Sequence, residues 1–356
     1  MQIHGGNVAE ICKKYNLKED TIIDFSTNVN PLGFPKGVQV LLRREGAKIV
    51  RYPDTNSTEL KKEIATRLDV NEKTILVGNG STELIYLIPR VFKPLCALIP
   101  IPTFIEYEKS LLSLECKLRY IPLKEEENFR VNIDEIIKLL PKMDVVYLCN
   151  PNNPTGVLLP KSAVIHLIIK AEKRRTLVII DEAFMDFADN ESVIAEVKRR
   201  KNLIVIKSLT KFFGIPGLRL GYLVSNSKIV DKISRHKEPW TVNILAQKAG
   251  ISCFKDEKFI MRTKRFIDRE RKYLLTELNR LQGLKSYNSS TNYLLVKIVR
   301  SGLSSGKLYE KMAQQGLLIR DCRSFRGLGD KFVRIAVRGR RENNLLIKKL
   351  KEALER

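Results

Sequence analysis

The sequence predicts an α/β protein: a large unit with a mainly parallel sheet covered by helices on both faces, then a smaller α+β unit. Three observations predict it. Short apolar runs alternate with amphipathic stretches through the middle of the chain, the texture changes near residue 245, and the chemically unusual residues fall just after apolar runs. Strands that alternate with helices imply crossover connections, hence parallel neighbours buried on both faces. In such sheets ligands gather at the carboxyl ends of the strands.

In chain order, residues 1–35 precede the alternating region and are expected to pack with the small unit and the site. Residues 36–244 form the large unit and residues 245–356 the small one. Within the large unit "TILVGN", "CALIPI", "DVVYLCN", "TLVIIDE" and "NLIVIKS" read as buried strands, since each is an apolar run of strand length. "SAVIHLIIKAEKRR" reads as an amphipathic helix between two of them. Beyond residue 245 the patterns predict a long helix over 257–282, a strand "TNYLLVKI", a helix over 303–315 and a strand "KFVRIAV". A last helix carries Leu346, Leu350 and Leu354 on one face.

With 356 residues the chain is too long for one simple core, and 44% hydrophobic residues suit a globular protein. No charge-free apolar run has transmembrane length, and "MQIHGGNVAEICKKYNLKED" lacks a signal-peptide core. Six cysteines form no C-x-x-C pair, so neither a metal nor a disulfide framework is expected, and a reducing cytoplasm is. The formal charge of +24 favours anionic small molecules. Its basic residues form no block with interleaved aromatics, so neither a nucleic acid nor a membrane is expected as partner.

"SLTKFFGIPGLRLGY" carries the central chemistry. A lysine amine attacks a carbonyl only when neutral, and the apolar company of Lys211 favours that form. Ser208, through its hydroxyl, and Arg219, through a bidentate fork, are donors suited to a phosphate. An aldehyde bearing a phosphate satisfies the whole stretch, and pyridoxal 5'-phosphate is such a molecule. Four further segments fit it. In "VGNGSTEL" the glycines allow a tight turn and Ser81 or Thr82 opens a helix whose N–H groups bind anions. In "VIIDEAFMDF" Asp181 ends a buried strand and can pair with a pyridine nitrogen; the competing partner is an internal arginine. In "CNPNNPTG" Asn153 can reach the ring's 3-oxygen or a substrate carboxylate, and in "IPTFIEY" Phe104 can stack on the ring.

In this order and spacing, "NPNNPTG", "DEAF" and "SLTK…GLRLGY" make the chain resemble the fold type I pyridoxal-phosphate enzymes, the aspartate aminotransferase superfamily, nearly end to end. The resemblance implies a seven-stranded sheet and a homodimer with its active site at the interface. "RYPD" matches the segment whose tyrosine, here Tyr52, reaches the cofactor phosphate of the neighbouring subunit. Two branches compete, the histidinol-phosphate aminotransferases and the threonine-phosphate decarboxylases of cobalamin biosynthesis. "HGGN", "DFSTNVNPLG", "EPWTVN" and "LLIRDCRSFRGL" are similar to the decarboxylases. That branch implies His4, Gly5, Asn28 and Asn153 at the substrate, Arg320 on its phosphate and Arg334 on its carboxylate. Many aminotransferases have a tyrosine three residues after the aspartate; Phe184 stands there, as in the decarboxylases.

Overall fold

The computed structural model describes residues 5–355. The chain enters through α1 (Val8–Tyr15) and the short strand β1 (Ile23–Asp24). The large unit follows with α2 (Lys36–Glu45), α3 (Thr58–Leu68), β2 (Ile75–Asn79), α4 (Gly80–Phe92), β3 (Cys96–Ile101), α5 (Glu106–Leu112) and β4 (Lys117–Pro122). It continues with α6 (Ile133–Leu139), β5 (Val145–Cys149), α7 (Lys161–Glu172), β6 (Leu177–Asp181), β7 (Leu203–Ser208), β8 (Leu220–Ser225), α8 (Ser227–Ser234) and α9 (Ile244–Lys255). Its seven strands form one sheet in the order β2-β8-β7-β6-β5-β3-β4. Neighbours are parallel except at β8, which runs antiparallel to β2 and β7.

Side-chain alternation along each strand divides the interior into two cores. In β5, Val146 and Leu148 join a core completed by α3, α6, α7 and α9, while Val145, Tyr147 and Cys149 join one completed by α4, α5 and α8. In β6 and β7, Ile179 and Ile206 face that second core, so the same alternation turns Asp181 and Ser208 toward the α4 and α5 side.

Two strands lie outside the five apolar runs. β4 is an edge strand whose residues alternate between exposed and part-buried, so it lacks a continuous apolar signature. β8 is fully buried and lies inside "GLRLGYLVS", an apolar run interrupted by two glycines and Arg219.

The small unit comprises α10 (Glu257–Arg280), β9 (Leu284–Ser286), β10 (Tyr293–Ile298), α11 (Ser305–Ala313), β11 (Leu317–Leu318), β12 (Arg320–Asp321), β13 (Phe332–Ala336) and α12 (Arg340–Glu355). Its antiparallel sheet has the order β12-β13-β10-β9. Leu346, Leu350 and Leu354 share one core with Ile267, Leu274 and Leu278 of α10. The packing seam differs from the expected change of unit at residue 245. α9 packs on α2 and α3, and Phe259 and Ile260 still belong to a large-unit core, so the seam runs through α10. An amphipathic stripe reads the same in sequence whichever core receives it.

The N-terminal segment is tied to the small unit. β1 pairs in parallel with β11, the Phe25 N–H donates to Leu318 O at 2.7 Å, and the Ala336 N–H donates to Phe25 O at 2.9 Å. Five residues on, the Asn30 side chain donates to Phe212 O at 2.7 Å and Thr263 Oγ1 at 3.0 Å. The segment therefore crosses the seam between the units. Among the described residues no helix is long and apolar enough to cross a membrane.

Candidate active site

A cavity of about 340 Å³ opens at the carboxyl ends of β5, β6 and β7, between the large sheet and the small unit. Its wall carries Lys211, Arg219, Arg320 and Arg334 against one carboxylate, Asp181. Four cations facing one anion in a half-enclosed space select an anionic ligand.

One end of the cavity is an anion cradle built from backbone. β2 ends at Asn79, Gly80 takes φ +76, and α4 begins with Ser81 and Thr82 on the cavity wall. A Cβ on Gly80 would sit 2.7 Å from Arg219 Nη2, so the guanidinium tip lies close against the helix start. A Cβ on Gly221 in β8 would meet the Ser81 nitrogen at 2.5 Å. Gly221 is therefore held to glycine by fixed backbone, and Gly80 is favoured by its positive φ. Arg219 itself sits in the left-handed region at φ +58 and donates to Pro216 O at 3.2 Å.

Lys211 lies just past β7, and its Nζ donates to Thr210 Oγ1 at 2.8 Å. Burial lowers its pKa to about 8, helped by the Arg219 and Arg334 charges and opposed by Asp181. Asp181 is 3% exposed. Burial raises its carboxyl above the usual range, against the Tyr107 hydroxyl, the Ala183 N–H and the charges of Lys211 and Lys207. Its buried partner is Tyr107, at 2.6 Å, in place of the arginine weighed from sequence. Phe104, in the wall, meets the edge of Tyr107 with ring centroids 5.6 Å apart.

The asparagines of "CNPNNPTG" divide their work. Asn150 accepts from the Leu159 N–H at 2.8 Å and donates to Leu159 O at 3.2 Å, while Asn152 donates to Pro102 O and Thr155 Oγ1, both at 2.9 Å. These two brace the loop. Asn153 faces the cavity and accepts from Arg334 Nη1. Arg334 also donates to Ser26 O at 2.9 Å, lies 5.2 Å from the Tyr293 ring centre, and has an Nε that is buried without a partner among the described residues. Arg320 donates to Ser324 Oγ at 2.7 Å, and its pKa falls to about 10, chiefly through burial and then the Arg334 charge. The two guanidiniums are thus held in one dry space despite their repulsion.

The cavity wall brings together Gly5, Asn28, Ser81, Thr82, Phe104, Asn153, Asp181, Lys211, Arg219, Arg320 and Arg334 of the residues picked out from sequence. Among the described residues, two do not join them. Ser208 is buried behind the wall, where its hydroxyl shares a 2.8 Å hydrogen bond with Thr210, which links it to Lys211 at one remove. Tyr52 is 80% exposed and packs on Trp240 at 4.9 Å, away from its own cavity. His4 lies outside the described residues. Phe184 lines the wall, edge-on to Tyr293 at 5.0 Å, and presents no hydroxyl. The structure adds Tyr107, Cys149, Ser26, Thr27, Ser324 and Phe325. Tyr107 sits three residues after Phe104 in "IPTFIEY", at the start of α5, and that nearness to Phe104 was the local signal for it.

These residues fit pyridoxal phosphate on the structure's own terms. Gly80 and Gly221 bring Arg219 and the start of α4 close together, and Ser81, Thr82 and Arg219 line the cavity there. The buried Arg334 Nε and Asn28 Oδ1 point to polar ligand groups, since neither has a partner among the described residues.

Residues 20–350 match the family Aminotransferase class I and II. The chain is 35% identical to the threonine-phosphate decarboxylase of Salmonella typhimurium, over 99% of this chain and 96% of that one. Among solved structures it is similar to the histidinol-phosphate aminotransferase of Clostridium acetobutylicum, with TM-score 0.88 and 33% identity over 94% of this chain and 99% of that one. It is also similar to the L-threonine-O-3-phosphate decarboxylase of Porphyromonas gingivalis, with TM-score 0.85 and 32% identity over 94% of this chain and 100% of that one.

Proposed function

Since the chain belongs to the class I and II aminotransferase family and its cofactor is pyridoxal 5'-phosphate, we propose that it decarboxylates O-phospho-L-threonine to (R)-1-amino-2-propanol O-2-phosphate and carbon dioxide. The product serves the aminopropanol arm of cobalamin biosynthesis, and a bifunctional adenosylcobalamin-biosynthesis protein of Leptospira interrogans is 35% identical to the chain. The observation that carries the reading is Arg334: a buried guanidinium whose hydrogen-bond partners among the described residues are neutral and whose Nε has none there, on a wall that also carries Arg219 and Arg320. A buried cation without a hydrogen-bonded counter-ion favours an incoming anion. O-phospho-L-threonine brings two, its carboxylate for Arg334 and its phosphate for Arg320.

Arg219 and the start of α4, at Ser81 and Thr82, would hold the cofactor phosphate, Lys211 its aldehyde, Asp181 its ring nitrogen and Phe104 its ring face. Bound there, the cofactor supplies an electron sink for the bond broken at the substrate Cα. The protein's own task is to decide which bond that is. Arg334 and Asn153 form one rigid unit across the seam, with Asn153 Oδ1 fixing one side of the guanidinium fork and Ser26 O the other. A carboxylate docked on the remaining edge is held by groups that cannot follow it if it turns, and such preorganisation is transition-state stabilisation. With a pKa of about 8, roughly one Lys211 in ten is neutral at pH 7. Its Nζ can therefore take up a proton and return one to the product carbon. Phe184 and Phe325 exclude water from the same wall.

Tyr52, exposed beside Trp240, supports a homodimer in which it reaches the phosphate of the neighbouring subunit. Six free cysteines accord with a cytoplasmic protein. The deciding experiment offers the holoenzyme O-phospho-L-threonine and measures carbon dioxide. Amino transfer from histidinol phosphate to 2-oxoglutarate, with no carbon dioxide from phosphothreonine, would place the chain with the aminotransferases.

A further inference from the structure

Both oxygens of Asp181 are engaged by the chain itself. Oδ1 accepts the Ala183 N–H at 2.9 Å and Oδ2 accepts the Tyr107 hydroxyl at 2.6 Å. Tyr107 lies in the first turn of α5 and is 1% exposed. It is stacked on Tyr147 at 5.4 Å and held edge-on by Phe104 at 5.6 Å, so its ring is fixed with the hydroxyl between Asp181 and Cys149. We propose that Tyr107 is a positioning residue that keeps the proton shared by Asp181 and the cofactor's ring nitrogen on the nitrogen.

This inference rests on the cofactor reading above and adds a role for a residue that acts through Asp181. A buried carboxylate is a stronger base than an exposed one and competes harder for a shared proton. Each hydrogen bond donated to the anion weakens it as a base. The donor must do so without cancelling the charge. An arginine at this place would pair with the carboxylate and displace the pyridinium as its counter-ion, whereas a neutral hydroxyl stabilises the anion and leaves its charge for the ring. The groups facing Asp181 are Tyr107 from α5, Cys149 at the end of β5, Lys207 in β7, Lys211 beyond it and Tyr293 from β10. Lys207 is engaged by Asp186 at 2.9 Å and Glu182 at 3.7 Å, and Lys211 is committed to the aldehyde in the loaded enzyme. Tyr107 is the side-chain donor that reaches the carboxylate directly.

The test uses holoenzyme loaded with cofactor labelled with nitrogen-15 in the ring, whose nuclear magnetic resonance shift distinguishes protonated from neutral pyridine. Tyr107→Phe keeps the ring and its stacking and removes only the hydroxyl. The nitrogen signal is expected to move toward the neutral form, with kcat falling about tenfold or more and KM little changed. In an Asp181→Asn background the same substitution is expected to add no further loss, because its effect passes through the carboxylate. Incorporating 3-fluorotyrosine at 107 gives a stronger donor of almost the same size and is expected to move the nitrogen signal further toward the protonated form at fixed pH. An unmoved nitrogen signal in Tyr107→Phe, or an equal loss in the Asp181→Asn background, overturns the proposal. Should Tyr107→Phe fail to fold, the fluorotyrosine protein decides alone: a nitrogen signal that stays put or moves toward the neutral form overturns it. A wild-type protein that takes up no cofactor instead sinks the functional reading on which the proposal stands.

Discussion

Arg334→Met separates what this side chain does for the fold from what it does for the substrate. Arg334 is 7% exposed. It donates to two buried neutral acceptors, Asn153 Oδ1 and Ser26 O, and its Nε has no partner among the described residues. Removing the charge relieves a desolvation penalty of several kcal/mol. Against that, two acceptors lose their donors at about 1–3 kcal/mol each. Methionine has similar length and fills the space, so no large cavity term enters. The opposing terms leave a net stability change of about 2 kcal/mol or less. The loss at the substrate has no such offset. A carboxylate deprived of charge-assisted hydrogen bonds loses about 3–4 kcal/mol, or roughly 10²- to 10³-fold in kcat/KM. Carbon dioxide release kinetics and a thermal melt on the same preparation measure both quantities. A variant within about threefold of wild type in kcat/KM would refute the argument and leave Arg334 as a tie between Asn153 and Ser26.

Three further outcomes are expected. The Lys211 amine has a folded pKa of about 8, below its unfolded value, so its buried charge destabilises the apoprotein fully below pH 8 and the penalty fades as pH rises toward 10.5. Apo Lys211→Ala should therefore melt above wild type at pH 7, the gap should shrink by pH 10, and the variant should neither turn over substrate nor bind cofactor covalently; melting curves that stay parallel across that range would contradict the burial argument. Gly80→Ala pushes on the movable tip of Arg219 and carries about 1 kcal/mol of backbone strain at φ +76, whereas Gly221→Ala drives a Cβ into the Ser81 nitrogen at 2.5 Å and Lys207 O at 2.9 Å. The first should fold with weakened cofactor affinity and the second should yield little folded protein, as measured by circular dichroism and cofactor titration. Arg320→Ala should raise KM for O-phospho-L-threonine by about tenfold or more and erase the preference over L-threonine, measured as a ratio of kcat/KM values.

Local chemistry was legible wherever a residue's meaning depends on its immediate neighbours. Lys211 among phenylalanines, Asp181 closing a five-residue strand and Ser81 after a glycine turn all stand near strand ends on the cavity wall. β4 was less legible, because an edge strand lacks the continuous apolar run that marks the buried strands, and the antiparallel β8 lies within the stretch whose arginine and glycines drew a chemical reading. Ser208 and Tyr107 show the same limit at the level of single side chains. Ser208 has the right spacing from Lys211 yet spends its hydroxyl on Thr210, and Tyr107 follows Phe104 by three residues yet turns to Asp181, 74 residues away in the chain.

The sequence by itself therefore determined the α/β order of elements and the turns that bring Ser81, Thr82, Asn153, Asp181 and Lys211 to one cavity. Those properties follow from short-range patterns of burial, backbone freedom and formal charge. Tertiary structure alone decided that α9 packs with the large unit, that Arg334 and Asn153 join hands across 181 residues, and that the partner of Asp181 is a neutral tyrosine. Each is a choice among equally apolar or equally polar surfaces, and only the packing of distant elements against one another separates the alternatives.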